Sequence, residues 1–255
     1  MPPPKLSIVT VVKDDELGFM RTLESLQQQN LHAVEWVIID SSRIPIEQQA
    51  IAEKVPAPIK YRWVDPRGVY PAMNTGLEHA AGEYVWFINA GDLVASGATV
   101  QGLVATLAAH QPEWLVGEVI FARSDGSVTR PPPFDYETEK RRSFARGRFP
   151  PHQGTVVRRE LLKSMKGFNT RYRIAADYHT ALRLSETADP LVTPEPLAVF
   201  NLGGISTERW REGLHEFRAA RSEVLSLGGY QKLVETVDSY SLLVRMYVAR
   251  VLNRA

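Results

Sequence analysis

From Leu6 to Ile88 the apolar positions switch between two rhythms. Leu6-Ser-Ile-Val-Thr-Val-Val12 is a β-branched run of the kind covered on both faces in a parallel sheet. Asp14 and Asp15 then offer an N-cap, and Leu17, Phe19, Met20, Leu23 and Leu26 recur at helical spacing. Glu35–Asp40 predicts a second strand and Glu47–Lys54 a helix. Ile59–Val64 predicts a third strand, Ala72–Ala81 a helix and Glu83–Ile88 a fourth strand. Strands alternating with helices predict an α/β fold with a doubly wound, Rossmann-like, mostly parallel sheet flanked by helices.

The second half is less regular. Trp114–Ala122 reads as a strand, Ser124-Asp-Gly-Ser127 as a hairpin turn into Val128-Thr129, Asp177–Glu186 as a helix and Leu191–Phe200 as a strand. Beyond Thr207 the pattern is helical, a C-terminal extension. The expected organisation is 1–110 as one half, 111–206 as a second half of the same domain, and 207–255 as a helical tail.

Composition narrows the chemistry. The 255 residues contain no Cys, which excludes disulfides, iron–sulfur clusters, Cys-ligated zinc and a thiol nucleophile. No G-x-G-x-x-G, P-loop, H-E-x-x-H or G-x-S-x-G pattern occurs, and six scattered His suggest no transition-metal cage. Lys and Arg (30) nearly balance Asp and Glu (29), and no nucleic-acid-binding motif is present. With no apolar run long enough to span a bilayer, a cytoplasmic protein is expected.

Ligands of open parallel sheets collect beyond the carboxyl ends of the strands. Three such ends carry polar residues: Thr10 to Asp14, Asp40-Ser41-Ser42 and Asn89-Ala-Gly-Asp92. Taken singly, Asp40 also suits a turn and Asp92 a helix cap.

Taken in order, these segments resemble the family 2 glycosyltransferases of GT-A fold, particularly bacterial enzymes of exopolysaccharide (colanic acid) and mycobacterial glycolipid synthesis. The likeness rests on Ser7–Asp14, Glu35–Ser42, Asp65-Pro-Arg-Gly-Val-Tyr-Pro-Ala-Met-Asn-Thr-Gly76 and Gly82–Asp92. It continues through Pro151-His-Gln-Gly154, Phe168–Tyr178 and Leu202–Ser206. The resemblance implies an inverting transfer of sugar from a nucleotide-sugar donor, UDP-linked first and GDP-fucose second, to a glycan or lipid-linked acceptor. It assigns Asp40 to the base of the donor, Thr10 and Val12 to the nucleoside pocket, and Arg67, Asn74, Asn89 and Gly91 to the donor. Asp92 is assigned to Mg²⁺ or Mn²⁺ on the diphosphate, and Asp177 to the general base. His152 and Gln153 would border the acceptor. Asp177 also suits an N-cap, a role compatible with the first.

Of the forms the family often shows at the metal motif, Asp-Ala-Asp-Asp and Asn-Ala-Gly-Asp, this chain has the second, which leaves Asp92 as its one carboxylate. Pro71 stands where relatives usually carry Asp, and Ala176 where many carry Glu. The thinner metal motif keeps a catalytically inactive nucleotide-sugar-binding or membrane-surface scaffold open as an alternative. A sugar nucleotidyltransferase ranks lower, since its glycine-rich N-terminal signature is missing.

Between Glu139 and Arg173 eleven Lys or Arg face two acids, an excess of nine. Either this segment meets anionic lipid head groups at the inner face of the cell membrane or the diphosphate of a polyprenyl-linked acceptor, or its cations form a solvated face paired with acids elsewhere. The apolar tail Tyr240–Ala255 splits Arg245 from Arg250 and Arg254 around the helix. That favours packing on the domain or a homodimer seam over a membrane anchor.

Overall fold

The computed structural model describes residues 3–48, 51, 53–95, 99–123, 126–130, 136, 149–201 and 210–225. Its elements run β1 (Leu6–Val12), α1 (Glu16–Gln27), β2 (Val34–Asp40), β3 (Ile59–Trp63), α2 (Val69–His79), β4 (Tyr84–Phe87) and β5 (Leu93–Val94). There follow α3 (Thr99–His110), β6 (Trp114–Ala122), β7 (Val128–Thr129), a 3₁₀ turn (His152–Gly154), β8 (Thr155–Arg158) and α4 (Arg159–Ser164). The last are α5 (Ala176–Thr187), β9 (Leu191–Asn201) and α6 (Trp210–Val224).

One sheet takes the order β3-β2-β1-β4-β8-β6-β9-β5, with β7 paired to β6. Strands β3, β2, β1 and β4 are parallel, as the alternating pattern predicts. From β8 onward the sheet is mixed: β4 and β6 meet β8 antiparallel, and β6 meets β9 parallel across a register shift.

Strand parity sorts the core into two layers. Leu6, Ile8 and Val12 join Phe19, Leu23, Leu26, Val100 and Leu103 under α1 and α3. Val9 and Val11 join Met73, Leu77, Tyr178 and Leu182 under α2 and α5. Each strand of the centre is thus covered twice, which is why β1 and β2 are apolar almost throughout and buried at every position. Phe19 stacks on Trp36 at 5.6 Å, and the Trp36 indole N–H donates to the Thr10 hydroxyl, which donates to the Ile88 carbonyl at 2.7 Å. This buried line ties β2, β1 and the end of β4 together.

Several boundaries differ from the sequence expectation. Helix α2 begins at Val69, three residues before Ala72, because Pro71 falls in the first turn, where a missing N–H costs nothing. Asp15 is the N-cap of α1, accepting from Gly18 N–H at 2.9 Å. Helix α3 was not among the expected elements, although Val100, Leu103, Val104 and Leu107 recur at helical spacing; Gly102 and the outward Ala105, Ala108 and Ala109 dilute the contrast with its exposed face. The hairpin of β6 and β7 is present, closed by Ser127 O accepting from Arg123 N–H.

The expected helix Glu47–Lys54 falls partly, and Lys140–Arg148, Leu202–Ser206 and the tail Tyr240–Ala255 wholly, outside the described residues. Of the basic segment that is described, Arg158 pairs with Glu83 and Glu113, Arg159 with Glu160, and Arg171 with Glu223. Among the described residues no helix is long and apolar enough to cross a membrane.

Candidate active site

Because β1, β2 and β4 are parallel, their carboxyl ends lie on one edge. Past β4 the ladder to β1 continues for two more bonds, Ile88 N–H to Val9 O and Ala90 N–H to Val11 O, and the chain turns through Asn89–Asp92. Gly91 makes the turn with φ at +92°, a region that side chains disfavour. Thr22 of α1 fixes it, accepting from Gly91 N–H and donating to Asp92 O at 2.8 Å. Asp92 therefore sits in a turn ahead of β5 and caps no helix.

The 3₁₀ turn reaches this place from the second half of the chain. Trp86 N–H holds the Gln153 carbonyl at 2.7 Å, and the Gln153 amide donates to Asp92 Oδ2 at 3.0 Å. His152 Nε2 lies 3.2 Å from Asn89 Nδ2, and its Nδ1 lies 3.5 Å from Asp177 Oδ2. An amide NH₂ can only donate, so with this amide orientation neutral His152 carries its proton on Nδ1, facing Asp177.

Asp177 occupies the first turn of α5, whose N-cap is Ala175; it is not the cap. Its Oδ1 accepts from Tyr178 N–H at 2.8 Å and from Tyr70 O–H at 3.1 Å, while Tyr70 also reaches Ile174 O. No described residue hydrogen-bonds Oδ2. Burial, then the Asp177 charge, pushes the Tyr70 hydroxyl well above its ordinary range, so Tyr70 stays a donor. Behind the carboxylate a cavity of about 20 Å³, bordered by Phe87, Leu162 and Phe168, has room for about one water.

The carboxylates at this edge differ. Burial pushes Asp92 up to about 6; the His152 ring when protonated, and hydrogen bonds from Gln153 and the Asn89 backbone, only partly offset it. Asp40 is also buried, yet N–H groups of Ile46 and Ser42 and the Tyr61 hydroxyl outweigh burial and hold it below its usual range.

The residues implied by the resemblance thus separate. Asn89, Asp92, His152, Gln153 and Asp177 come together, with Gly91 shaping the turn. Asp40 forms an Asx turn and uses both oxygens on loop 41–46 and Tyr61, leaving neither unpartnered toward a nucleotide base. Thr10 has no exposed surface and its hydroxyl serves the core; Val12 is 4% exposed. Both ends of the Asn74 amide bond the Phe168 backbone at 2.8 Å, so Asn74 clamps the loop before α5. Gly167 makes that clamp possible, since a Cβ there would collide with the Asn74 amide. Arg67 is exposed ahead of α2 and makes no hydrogen bond or ion pair with a described residue. Tyr70 is the residue that sequence reasoning missed; its position beside Pro71 in a quoted segment was the available signal.

A divalent cation was tested against these groups. Among the described residues no three His, Cys, Asp or Glu side chains form a cage. The available donors are hard oxygens: Asp92, whose raised pKa reports an undercompensated carboxylate, and the buried Asn89 Oδ1, which lacks a partner. Such a set fits Mg²⁺ or Mn²⁺ only if other ligands, such as phosphate oxygens, complete the shell.

The architecture matches solved GT-A structures. Staphylococcus aureus TarS residues 1–349 with UDP-GlcNAc superposes with a TM-score of 0.66 at 17% identity, over 96% of this chain and 73% of that one. Against a longer TarS structure the chain spans 41% of the length. The mannosyltransferase PcManGT of Pyrobaculum calidifontis, in complex with GDP-Man and Mn²⁺, gives a TM-score of 0.63 at 18% identity, covering 98% and 81%. In sequence, an uncharacterized glycosyltransferase of Mycobacterium tuberculosis H37Rv is 26% identical over 210 residues (81% of this chain, 78% of the relative). A PGL/p-HBAD biosynthesis glycosyltransferase of Mycobacterium bovis BCG is 28% identical over 191 residues (72% and 70%). The model of the glycosyl transferase family 2 matches residues 7–165. Matched over residues 7–165, more than half of its length, this chain of GT-A architecture belongs to glycosyltransferase family 2.

Proposed function

We propose that this enzyme transfers a sugar with inversion from a nucleoside-diphosphate sugar to a hydroxyl of a glycan or glycolipid, with Asp177 as general base. The observation that carries this is the asymmetry of Asp177: Oδ1 is held by Tyr178 and Tyr70, and Oδ2 is open beside His152. Oδ2 takes the proton of the acceptor hydroxyl as that oxygen bonds to the anomeric carbon. The bond from that carbon to the diphosphate oxygen breaks, and the nucleoside diphosphate leaves with the electron pair.

Asp92, with Asn89 Oδ1, would hold the cation. When bound, a hard divalent ion neutralises charge on the leaving diphosphate. Gln153 and the Thr22-braced turn orient Asp92 for this, while His152 and Gln153 border the acceptor. The nucleoside lies along the ends of β1 to β3. There Asp40 shapes loop 41–46, Val12 closes the floor, Thr10 and Asn74 brace the walls, and exposed Arg67 can approach phosphate. UDP-sugars are the first donors of this reading and GDP-sugars, GDP-fucose among them, the second, supported by the UDP-GlcNAc and GDP-Man bound to the two structural neighbours.

The test is a thermal-shift panel of UDP, GDP and dTDP with and without Mn²⁺, on wild type and Asp92→Ala. Ligand binding to the folded state raises stability with its concentration over Kd. One nucleotide should raise Tm in a Mn²⁺-dependent way that Asp92→Ala loses. No shift with any nucleotide would overturn the donor site.

A further inference from the structure

Helix α5 carries Asp177 but does not cap itself: Ala175 at its N-cap offers no side-chain acceptor. The leading N–H groups of a helix need partners from elsewhere. For the N-cap Ala175 and the two residues leading into it, the partner comes from α6, some forty residues downstream. Glu216 Oε1 accepts from Arg173 N–H at 2.9 Å, and Oε2 from Ile174 N–H at 2.7 Å and Ala175 N–H at 2.9 Å. Three successive backbone donors converging on one carboxylate form an anion-binding concavity, here filled by the protein's own acid at the positive end of a helix.

The grip is repeated two turns along α6. Glu223 accepts from the Tyr172 hydroxyl at 2.7 Å and from Arg171, and lies 3.2 Å from His179 Nε2. Between the two acids Phe217 packs on Tyr178 at 4.6 Å. Contacts from α6 therefore flank Asp177 on both sides in sequence, 171–175 before it and Tyr178–His179 after it. From the opposite side Tyr70 holds Ile174 O and Asp177 Oδ1. Segment 173–178 is pinned between α2 and α6, so a shift at Glu216 moves the open Oδ2. The family match ends at residue 165, before both the acid and its clamp.

We propose that Glu216 is a positioning residue of the transfer reaction, acting through Asp177 by setting the start of α5. The helix beyond residue 207 is then part of the catalytic apparatus. This rests on the reading of Asp177 as the base. Misplacing a reacting group by about 1 Å can cost on the order of 10²-fold in rate.

The experiment compares Glu216→Ala and Glu216→Gln, each in wild-type and Asp177→Asn backgrounds. Rates are read as nucleoside diphosphate released from UDP-glucose, UDP-N-acetylglucosamine and GDP-mannose, with water as acceptor. UDP affinity with Mn²⁺ and amide exchange at residues 173–175 are read on the same proteins. Glu216→Ala should lower kcat by about tenfold or more with KM and UDP affinity within about twofold. Glu216→Gln, which keeps one carbonyl oxygen, should lose less, and neither change should lower the residual rate of Asp177→Asn further. Protection of amides 173–175 should fall in both variants. A kcat within twofold of wild type, beside an inactive Asp177→Asn, would overturn the clamp and leave the base standing, as would unchanged exchange. Full activity in Asp177→Asn, or no release from any donor by wild type, would remove the base and the clamp with it. UDP affinity falling in step with kcat would make Glu216 structural only. Should Glu216→Ala not fold, Glu216→Gln gives the same kcat-against-KM reading.

Discussion

Glu35 and Asp92 are both buried acids, one on β2 and one past the end of β4, the parallel strands on either side of β1, and they lie at opposite edges of the sheet. At the amino edge Glu35 is 3% exposed and fully engaged: it accepts from the Ser7 hydroxyl and Ala81 N–H at 2.6 Å and pairs with Lys60 at 2.8 Å. Burial pushes its carboxyl up, but these partners more than offset that and leave it below its ordinary value. At the carboxyl edge Asp92 is 5% exposed and accepts one side-chain hydrogen bond, from Gln153, so burial wins and its pKa rises to about 6. Similar exposure with opposite shifts separates an acid whose charge the fold already satisfies from a more deeply set one whose charge has fewer partners. A group of the second kind in a cleft is a functional candidate.

The comparison breaks if the carboxyl edge carries stability or the amino edge carries chemistry. The largest expected effect is at Asp177. Asp177→Asn keeps shape and should lower kcat by roughly 10²–10⁴-fold, with the Mn²⁺-dependent UDP shift nearly unchanged. Turnover near the wild-type level would end the assignment. Next comes the amino edge. Glu35→Ala strands Ala81 N–H and the Ser7 hydroxyl, and should cost about 3 kcal/mol in denaturant unfolding while leaving kcat per folded molecule intact. A folded Glu35→Ala protein with reduced kcat would erase the distinction.

The smallest effect sharpens the picture at Asp92. Between about pH 4 and 6 the folded state keeps a proton on Asp92 that the unfolded chain releases. Stability from this group therefore falls as pH rises through that window, by roughly 2–3 kcal/mol at most. Glu35 works the other way: its lowered pKa supplies stability above about pH 4.5 that is lost as pH falls. In EDTA, Asp92→Asn should melt above wild type at pH 7.5 and close to it at pH 4.5. A lower Tm for Asp92→Asn at pH 7.5 would show that its charge is already satisfied.

Much of the first half was legible in the amino acids. β-branched runs at Leu6–Val12 and Val34–Asp40 and the spacing of Phe19, Leu23 and Leu26 specify strands and a helix through contacts a few residues apart. The end of the sheet past β4 was less so. Strand β8 is four residues inside a basic stretch and β5 is two, so each is assembled by neighbours rather than by its own periodicity, while the apolar stripe of α3 is diluted by Gly102 and outward alanines.

The acids show where local reading ends. Asp40, Asp92 and Asp177 each stand next to a strand end or helix start, and the chain alone marks all three as candidates. Their separate fates depend on donors that arrive from afar. Tyr61, Ile46 and Ser42 engage both oxygens of Asp40, Gln153 and the Asn89 backbone reach Asp92, and Tyr70 takes one oxygen of Asp177 while the other faces His152. The same holds for α5, whose start is held by Glu216 from a helix some forty residues downstream, a pairing that periodicity does not announce. Backbone periodicity is a short-range property and survives in the one-dimensional record. The charge state and freedom of a carboxylate depend on which hydrogen-bond donors the sheet order brings within 3 Å, and that only the folded chain decides.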